Sequence, residues 1–252
     1  MDVKVGCCGF PKARSEYYAH FQVVEVQQTF YQPPTCRTAE RWRSEAPSDF
    51  EFTLKAWQLI THESRSPTYR RLKLPWPQKQ LNNCGSFQPT EEVHWAWEQT
   101  REVAMALKAK IIVFQTPASF QPTPENKENL RKFFRAVDRT GFLFIWEPRG
   151  LWRNEEVHER CRELNLTHGV DPFKTDPLFG QVQYFRIHGI TGYGYRFSEK
   201  DLRALKEKCL RKSYCLFNNV SMWMDALAFQ RLIGEKAKPP KIIPDRSESK
   251  GG

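Results

Sequence analysis

A carboxylate and a guanidinium stand two residues apart at the end of an apolar run, in the sequence Glu147-Pro148-Arg149. The preceding residues, 142–146, are typical of a parallel strand that is covered on both faces, and Pro148 ends that strand. Parallel α/β sheets and barrels place their chemistry at the carboxyl ends of their strands. Glu147 and Arg149 are therefore predicted to belong to a functional site.

The elements that position these residues follow from the order of apolar runs along the chain. Short apolar runs alternate with amphipathic helical patterns, which predicts a parallel sheet with crossover helices. Strands are predicted at residues 3–9, 21–31, 50–56, 111–115, 142–147, 166–170, 183–188 and 214–218. Helix starts are marked by the capping residues Thr90, Thr123, Asn154 and Ser198.

The number of strands sets the fold class. Eight strands interleaved with helices in 252 residues predict an α/β protein, a single-domain (β/α)8 TIM-type barrel over residues 1–235. An open doubly wound sheet is the alternative, because the sixth and seventh strands are short and weakly marked. A long irregular segment at about 59–89 interrupts the pattern. The basic tail at 236–252, rich in Pro, Lys and Ser, is predicted to be disordered.

The charge balance indicates which partners the protein takes. Lys and Arg outnumber Asp and Glu by 39 to 29, a formal net charge of +10. This favours an anionic small molecule or nucleic acid as partner, although a basic surface that serves only solubility has the same composition. No stretch approaches the length of a membrane span, and the amino end does not have the pattern of a secretion signal. We therefore expect a cytoplasmic protein with no membrane partner.

The cysteines are odd in number, seven, and scattered along the chain. None of them forms the Cys-x-x-Cys spacing of zinc and iron–sulfur sites, and a chain of this length does not depend on disulfides. We expect free, buried thiols that pack as small apolar residues. The adjacent pair Cys7 and Cys8 is the exception for which a further role stays open.

Alternation along the strands selects the side chains that point into the barrel. Successive strand residues face the lumen and the helices in turn, and the apolar set should face the helices. The polar set, expected to converge at the carboxyl-terminal mouth, is Glu25, Gln27, Lys55, Gln115, Glu147, Arg186, His188 and Asn218. Burying so many charges together is costly without a function. The alternative is a set of satisfied ion pairs, such as Glu25 with Lys55 or Glu147 with Arg186.

A glycine-rich loop follows His188 and leads to the helix that Ser198 caps. Gly189, Gly192 and Gly194 would let the backbone approach a ligand, and the start of a helix presents free N–H groups. Barrels often hold phosphate in the loops after the seventh and eighth strands. These glycines are predicted to bind phosphate, and a surface turn is the alternative.

The segment 64–90 contains five basic residues and no acidic one. Cations mixed with aromatic rings can neutralise phosphates and stack on bases. The residues predicted to bind nucleic acid on this ground are Arg65, Arg70, Arg71, Lys73 and Trp76. A solvated loop whose aromatic rings pack over the barrel mouth would have the same composition.

Six motifs in order carry a resemblance to a known family. They are Val5-Gly-Cys-Cys-Gly-Phe10, Val24-Glu-Val-Gln-Gln-Thr-Phe-Tyr31, Phe52-Thr-Leu-Lys-Ala-Trp-Gln-Leu-Ile-Thr-His62, Trp146-Glu-Pro-Arg-Gly-Leu-Trp152, Tyr184-Phe-Arg-Ile-His-Gly189 and Phe217-Asn-Asn219. The chain resembles the YecE-like family, catalogued as domain of unknown function seventy-two, up to about residue 233. The resemblance implies a TIM-type barrel and a cytoplasmic protein, and it brings no catalytic mechanism with it.

The family's motifs add site candidates to those that the alternation selected. Its Ile-Thr-His motif falls on His62, and its Phe-Asn-Asn motif falls on Asn218 and Asn219. The chain departs from the family at the end of the first strand, where Cys7 and Cys8 replace a small polar pair.

These candidates lead to a hydrolase-type enzyme that acts on an anionic substrate at the barrel mouth. Its catalytic residues would be Glu25, Glu147 and His188, with either carboxylate as general base or metal ligand. Lys55, His62, Arg149, Arg186, Asn218 and Asn219 would bind the substrate. A divalent metal is a candidate cofactor, since two carboxylates and a histidine suffice as ligands. The alternatives are a nucleic-acid-binding protein without catalysis, using residues 64–90, and a scaffold whose lumen charges are merely paired.

Overall fold

Eight parallel strands form a closed barrel in a computed structural model that describes residues 2–234. Each strand pairs with its neighbours in chain order, and the first strand closes the barrel against the eighth. The predicted (β/α)8 barrel is confirmed, and the open sheet is not adopted. The predicted disordered tail, residues 236–252, lies outside the described residues.

The strands lie close to their predicted positions. Their bounds are β1 Val3–Cys8, β2 Val23–Val26, β3 Glu51–Lys55, β4 Ile111–Gln115, β5 Leu143–Glu147, β6 Thr167–Val170, β7 Gln183–Ile187 and β8 Ser213–Phe217. The second strand is five residues shorter at its carboxyl end than predicted, because Gln28–Tyr31 forms a short helix, α2. The hydroxyl of Thr29 donates to the carbonyl of Val26 at 2.8 Å and contacts the carbonyl of Lys55 at 2.7 Å, which fixes this turn against β3.

The helices pack outside the barrel. Their bounds are α1 Arg14–His20, α3 Cys36–Glu45, α4 Gln58–Thr61, α5 Gln78–Leu81, α6 Glu91–Ala106, α7 Pro124–Ala136, α8 Asn154–Leu164, α9 Glu199–Lys208 and α10 Met222–Gly234. Thr90, Thr123 and Ser198 cap α6, α7 and α9 as predicted. The predicted cap Asn154 is wrong by one residue: Arg153 occupies the capping position, and its N–H donates to Glu156 at 3.1 Å.

Two apolar regions follow from the alternation along the strands. The larger one lies between the barrel and its helices, and it contains Val24, Phe114 and Trp146. The smaller one lies inside the barrel, where Val23, Ile145 and Tyr184 belong to one cluster. Neighbouring strand residues therefore face opposite sides, which directs the polar residues at the strand ends into the lumen.

The segment 59–89 is more ordered than predicted, since it contains α4, α5 and a 3₁₀ helix, Pro67–Arg71. Its end folds back on α4, where Gly85 N–H donates to the carbonyl of Leu59 at 2.7 Å. Gly85 has a φ of +88°, and a Cβ there would lie 2.3 Å from the carbonyl oxygen of His62, so only glycine fits. The hydroxyl of Tyr69 donates to the same carbonyl at 2.7 Å. This segment is thus a packed wall beside the barrel mouth.

The two neighbouring cysteines of β1 face opposite sides of the barrel. Cys7 packs in the outer core and Cys8 in the lumen. All seven cysteines of the chain have free thiols, and burial raises the pKa of the Cys7 thiol to about 12. None of the helices within residues 2–234 is both long and apolar enough to span a bilayer.

Candidate active site at the barrel mouth

Arg186 is the centre of the polar lumen. Its guanidinium is 1% exposed and comes from β7. Its Nε donates to both carboxylate oxygens of Glu25, at 3.1 and 3.0 Å. Its Nη1 donates to Glu147 Oε2 at 2.6 Å and to Gln115 Oε1 at 3.0 Å. One buried guanidinium thus binds two carboxylates, and the predicted Glu147–Arg186 pair is present.

Glu25 lies in the sealed, lower part of this network. Its side chain is completely buried, and Tyr184 Oη donates to its Oε2 at 2.9 Å. The amide of Gln27 also donates to Glu25, and Thr53 Oγ1 lies 2.8 Å from Tyr184 Oη. Burial raises the pKa of Tyr184 well above its ordinary value, so its hydroxyl remains a donor. Glu25, predicted as a catalytic residue, therefore lies where it holds Arg186 in place.

The upper part of the network is a chain of charged groups that ends at a histidine. Arg149, whose side chain is 33% exposed, donates from Nε and Nη2 to Glu147 Oε1 at 2.9 and 2.6 Å. Its Nη2 also lies 3.0 Å from His188 Nε2. On the other side of the ring, His188 Nδ1 lies 3.4 Å from Asp171 Oδ2.

These contacts fix the tautomer of His188. A guanidinium can only donate, so Nε2 must accept from Arg149, and the proton of the ring must sit on Nδ1, towards Asp171. A carboxylate behind one nitrogen of a histidine orients the ring and strengthens the other nitrogen as a base. His188 therefore has the arrangement of a general base whose active nitrogen is covered by Arg149.

Glu147 remains charged in this environment. Burial would raise the pKa of its carboxyl group, but Arg186 and Arg149 outweigh burial and lower the pKa to about 2. Both of its oxygens accept hydrogen bonds from guanidinium groups. Glu147 is therefore a weak proton acceptor, and its main effect is to position the two arginines.

Lys55 lies in the lumen at the end of β3 but outside the ion network. The predicted Glu25–Lys55 ion pair does not form, because Glu25 is bonded to Arg186. The Lys55 ammonium instead lies 3.5 Å from the centre of the Phe30 ring. Beside it, His62 packs edge-on against Phe30 at 4.8 Å. Burial and Lys55 lower the pKa of His62 to about 3, so this histidine is an uncharged wall residue.

The two asparagines that follow β8 differ in their surroundings. Asn219 is buried, and its Nδ2 donates to the carbonyl of Tyr195 and to Asp225 Oδ2, both at 2.7 Å. Its amide therefore ties the loop after β8 to α10. Asn218 is partly exposed, and its backbone N–H donates to the carbonyl of Ile187 at 2.8 Å. Substrate binding by either residue stays a prediction.

The glycine loop lies beside His188, whose ring meets that of Tyr193 edge-on at 5.6 Å. Gly189 has a φ of +95°, and a Cβ there would lie 2.2 Å from the carbonyl oxygen of Gly192, so the turn itself requires this glycine. At the start of α9, Asp201 accepts from the N–H of Ser198 at 2.9 Å. A carboxylate of the protein thus already occupies this helix start, and phosphate binding by Gly189, Gly192 and Gly194 stays a prediction.

The basic residues of segment 64–90 lie outside the lumen. Arg65 pairs with Glu63 at 2.7 Å, and the guanidinium of Arg71 stacks 3.5 Å from the centre of the Tyr31 ring. Arg70 and Lys73 are exposed to solvent. The Trp76 ring packs against Trp95 at 4.9 Å. This surface is basic, and binding of nucleic acid by it stays a prediction.

Asp171 is a residue of the site that the sequence analysis did not single out. It directly follows β6 at the lumen-facing parity and precedes Pro172, just as Glu147, the last residue of β5, precedes Pro148. An acidic residue before proline at a strand end was thus the available signal. Within residues 2–234, no group of three or more His, Cys, Asp or Glu side chains is arranged to hold a metal ion. A divalent metal cofactor stays a prediction.

Comparison with known proteins gives a family and a fold. Residues 11–248 match the family described as "Protein of unknown function DUF72". The UPF0759 protein YunF from Bacillus subtilis (strain 168) is 28% identical to this chain, and the alignment covers 84% of this chain and 83% of that protein. A DUF72 family protein (TM1631) from Thermotoga maritima MSB8 is similar in structure, with a TM-score of 0.68, 24% identity and coverage of 93% of this chain and 100% of that one.

The same fold is found in an enzyme. Endonuclease IV from Thermus thermophilus superposes with a TM-score of 0.54 over 93% of this chain and 99% of that one. The two sequences are 12% identical, so the likeness concerns the fold alone.

Proposed function

The chain belongs to the DUF72 family, and from that premise we propose that it is a hydrolase-type enzyme that acts on an anionic substrate at the mouth of its barrel. The proposal depends on one observation above all. The ring of His188 is held between the Asp171 carboxylate and the Arg149 guanidinium, at 3.4 and 3.0 Å. Barrel enzymes place their active sites at this end of the strands.

Arg149 would bind the anionic group of the substrate. It is the most exposed member of the network and already contacts Glu147 and His188. Its planar guanidinium suits a phosphate or carboxylate, which can accept two parallel hydrogen bonds. When the guanidinium turns towards such a group, Nε2 of His188 loses its donor and is free to accept a proton.

His188 would then act as general base. Nε2 takes a proton from a water molecule, the oxygen of that water attacks the electrophilic centre of the substrate, and the leaving group departs with its electron pair. Asp171 stabilises the imidazolium that forms, as a carboxylate behind a histidine does in other hydrolases. Arg186, held by Glu25, keeps Glu147 and therefore Arg149 in position.

The test is hydrolysis of p-nitrophenyl phosphate and bis(p-nitrophenyl) phosphate by the full chain. The variants are His188→Gln and Asp171→Asn, with His94→Gln on the exposed surface of α6 as matched control. We expect His188→Gln to lower kcat/KM about 10²–10⁴-fold, the usual contribution of a general base. His94→Gln should leave it unchanged. Undiminished hydrolysis by His188→Gln, or no hydrolysis by the wild type, would overturn the proposal.

Nucleic-acid binding without catalysis is the second candidate function. The observation that favours it is the exposure of Arg65, Arg70, Arg71 and Lys73 on one segment. Such a binder should lose affinity for single-stranded DNA steeply as salt rises. Replacement of Arg70 and Lys73 by Gln should then weaken binding, whereas His188→Gln should not. The proposed partners are thus an anionic small molecule or nucleic acid, in a cytoplasmic protein.

A further inference from the structure

Lys55 is the buried cation of the mouth that the ion network leaves out. Its side chain is 7% exposed, and within residues 2–234 its ammonium group takes part in no hydrogen bond or ion pair with the protein. The four oxygens of the nearby carboxylates are already engaged, those of Glu25 by Arg186 and Tyr184 and those of Glu147 by Arg186 and Arg149. The amine thus lies at the proposed active site without a hydrogen-bond acceptor among the described residues.

The surroundings of this amine favour its uncharged form. Burial, followed by the positive charge of Arg186, lowers the pKa of Lys55 to about 7, although Glu147 and Glu25 act in the opposite direction. On its other sides lie the Phe30 ring and His62, which is uncharged. A free lysine has a pKa near 10.4 and is almost entirely protonated at neutral pH. An appreciable fraction of Lys55 therefore carries a free electron pair, the requirement for a nucleophilic amine.

We propose that Lys55 forms an imine with the carbonyl carbon of an anionic aldehyde or ketone. The proposal rests on the proposed function for the anionic group, which Arg149 binds, and it adds the chemical class of the reacting group. It also gives Lys55 a covalent role, whereas the sequence predicted only that Lys55 binds the substrate.

The chemistry balances without another reactant. The amine nitrogen attacks the carbonyl carbon and forms a C–N bond. The carbonyl oxygen takes one proton from the nitrogen and a second from the solvent and leaves as water, so that a protonated imine remains. The protonated imine draws electrons from the adjacent carbon, which weakens bonds to that carbon. Addition of water to the imine carbon, followed by cleavage of the C–N bond with its electron pair returning to nitrogen, releases the carbonyl compound and regenerates the amine, so imine formation at Lys55 is reversible.

The alternative is a structural lysine that packs its ammonium on the Phe30 ring. A cation at 3.5 Å from a ring centre is stabilised by the π electrons, and such a contact needs no substrate. The two roles differ in one measurable property. A charged ammonium on an aromatic ring does not react with carbonyl compounds, whereas an uncharged amine does so at neutral pH.

The test is reductive trapping on the full-length protein at pH 7. Pyruvate and dihydroxyacetone phosphate are the anionic carbonyl probes, acetone is the neutral one, borohydride reduces any imine, and peptide mass mapping locates the adducts. We expect either anionic probe to modify Lys55 about tenfold or more faster than Lys132, an exposed lysine of α7. Acetone should modify Lys55 more slowly than the anionic probes do.

Three variants complete the experiment. Lys55→Arg replaces the amine by a guanidinium group that forms no imine and should abolish the adduct, whereas Lys132→Arg should leave the Lys55 adduct unchanged. His188→Gln should still form the adduct, which separates a failure of the general-base proposal from a failure of this one. Absence of an adduct at Lys55 with both anionic probes, or modification of Lys55 no faster than of Lys132, would overturn the inference.

Discussion

Arg186 and Glu25 are joined across the barrel interior, with Nε donating to both carboxylate oxygens at 3.1 and 3.0 Å. Arg186 comes from β7 and Glu25 from β2, which are not neighbouring strands of the barrel. The contact therefore crosses the lumen and connects two strands that are not adjacent in the barrel. It also explains why a buried guanidinium is tolerated, since each of its nitrogens meets a carboxylate oxygen.

Replacement of Arg186 by Met tests this role. The variant would leave Glu25 and Glu147 buried without their main cation, which destabilises proteins by about 3–5 kcal/mol. We expect the free energy of unfolding in urea to fall by that amount. Arg135→Met, which breaks the exposed Arg135–Glu163 pair, is the control and should cost less than about 1 kcal/mol. Equal losses in the two variants would contradict the assignment.

The carboxyl group of Glu147 should contribute to acid stability. Its pKa is about 2 in the folded protein, against an ordinary value of 4.5. A depressed pKa gives stability that is present above pH 4.5 and is lost as the pH falls towards 2. Thermal unfolding of the wild type should therefore lose more stability between about pH 4.5 and about pH 3 than that of Glu147→Gln. Parallel loss in both proteins would show that Glu147 is not perturbed.

Lys55 should give a pH dependence of the same sign as Glu147, but in a higher pH range. Its pKa is lowered to about 7 in the folded protein from an ordinary 10.5, so between these values the unfolded chain binds the proton more tightly. The free energy of unfolding should then rise with pH from about 7 to about 10 relative to Lys55→Met, by about 1–3 kcal/mol. Urea denaturation of both proteins at several pH values across this range measures the difference. A constant difference would mean that the amine titrates normally.

The tautomer of His188 can be observed directly. Nitrogen-15 NMR of the imidazole rings should show the proton on Nδ1 of His188, because Nε2 accepts from Arg149 at 3.0 Å. Arg149→Gln should change the Nε2 signal, and the exposed His94 should keep its signals in both proteins. A proton on Nε2 in the wild type would exclude the arrangement in which Arg149 covers the base.

The alternation of side chains along the strands predicted much of the site. It placed Glu25, Glu147, Arg186 and His188 on one side of their strands, and the structure brings all four together in the lumen. Alternation along one strand decides which of its side chains face one side. In a closed parallel barrel, that side is the same lumen for every strand. Neither step required knowledge of contacts between distant residues.

Contacts between distant residues account for what the sequence did not show. The helix α2 replaces the predicted end of β2 because Thr29 reaches a carbonyl of β3, 26 positions later. The partner of Glu25 is Arg186 and not Lys55, because the Arg186 side chain spans the lumen and occupies both carboxylate oxygens. Such choices between two nearby cations depend on side-chain reach and geometry, which residue types alone do not give.

The distribution of partners around Arg186 has a consequence for how the chain can be divided. Glu25 and Gln115 belong to the first four strands, whereas Arg186 and Glu147 belong to the last four. A fragment that ends after β4 would contain Glu25 without Arg186. The complementary fragment would contain Arg186 with Glu147 but without its acceptors Glu25 and Gln115. The hydrogen-bond partners of Arg186 are thus complete only in the whole ring, and neither half contains all of them.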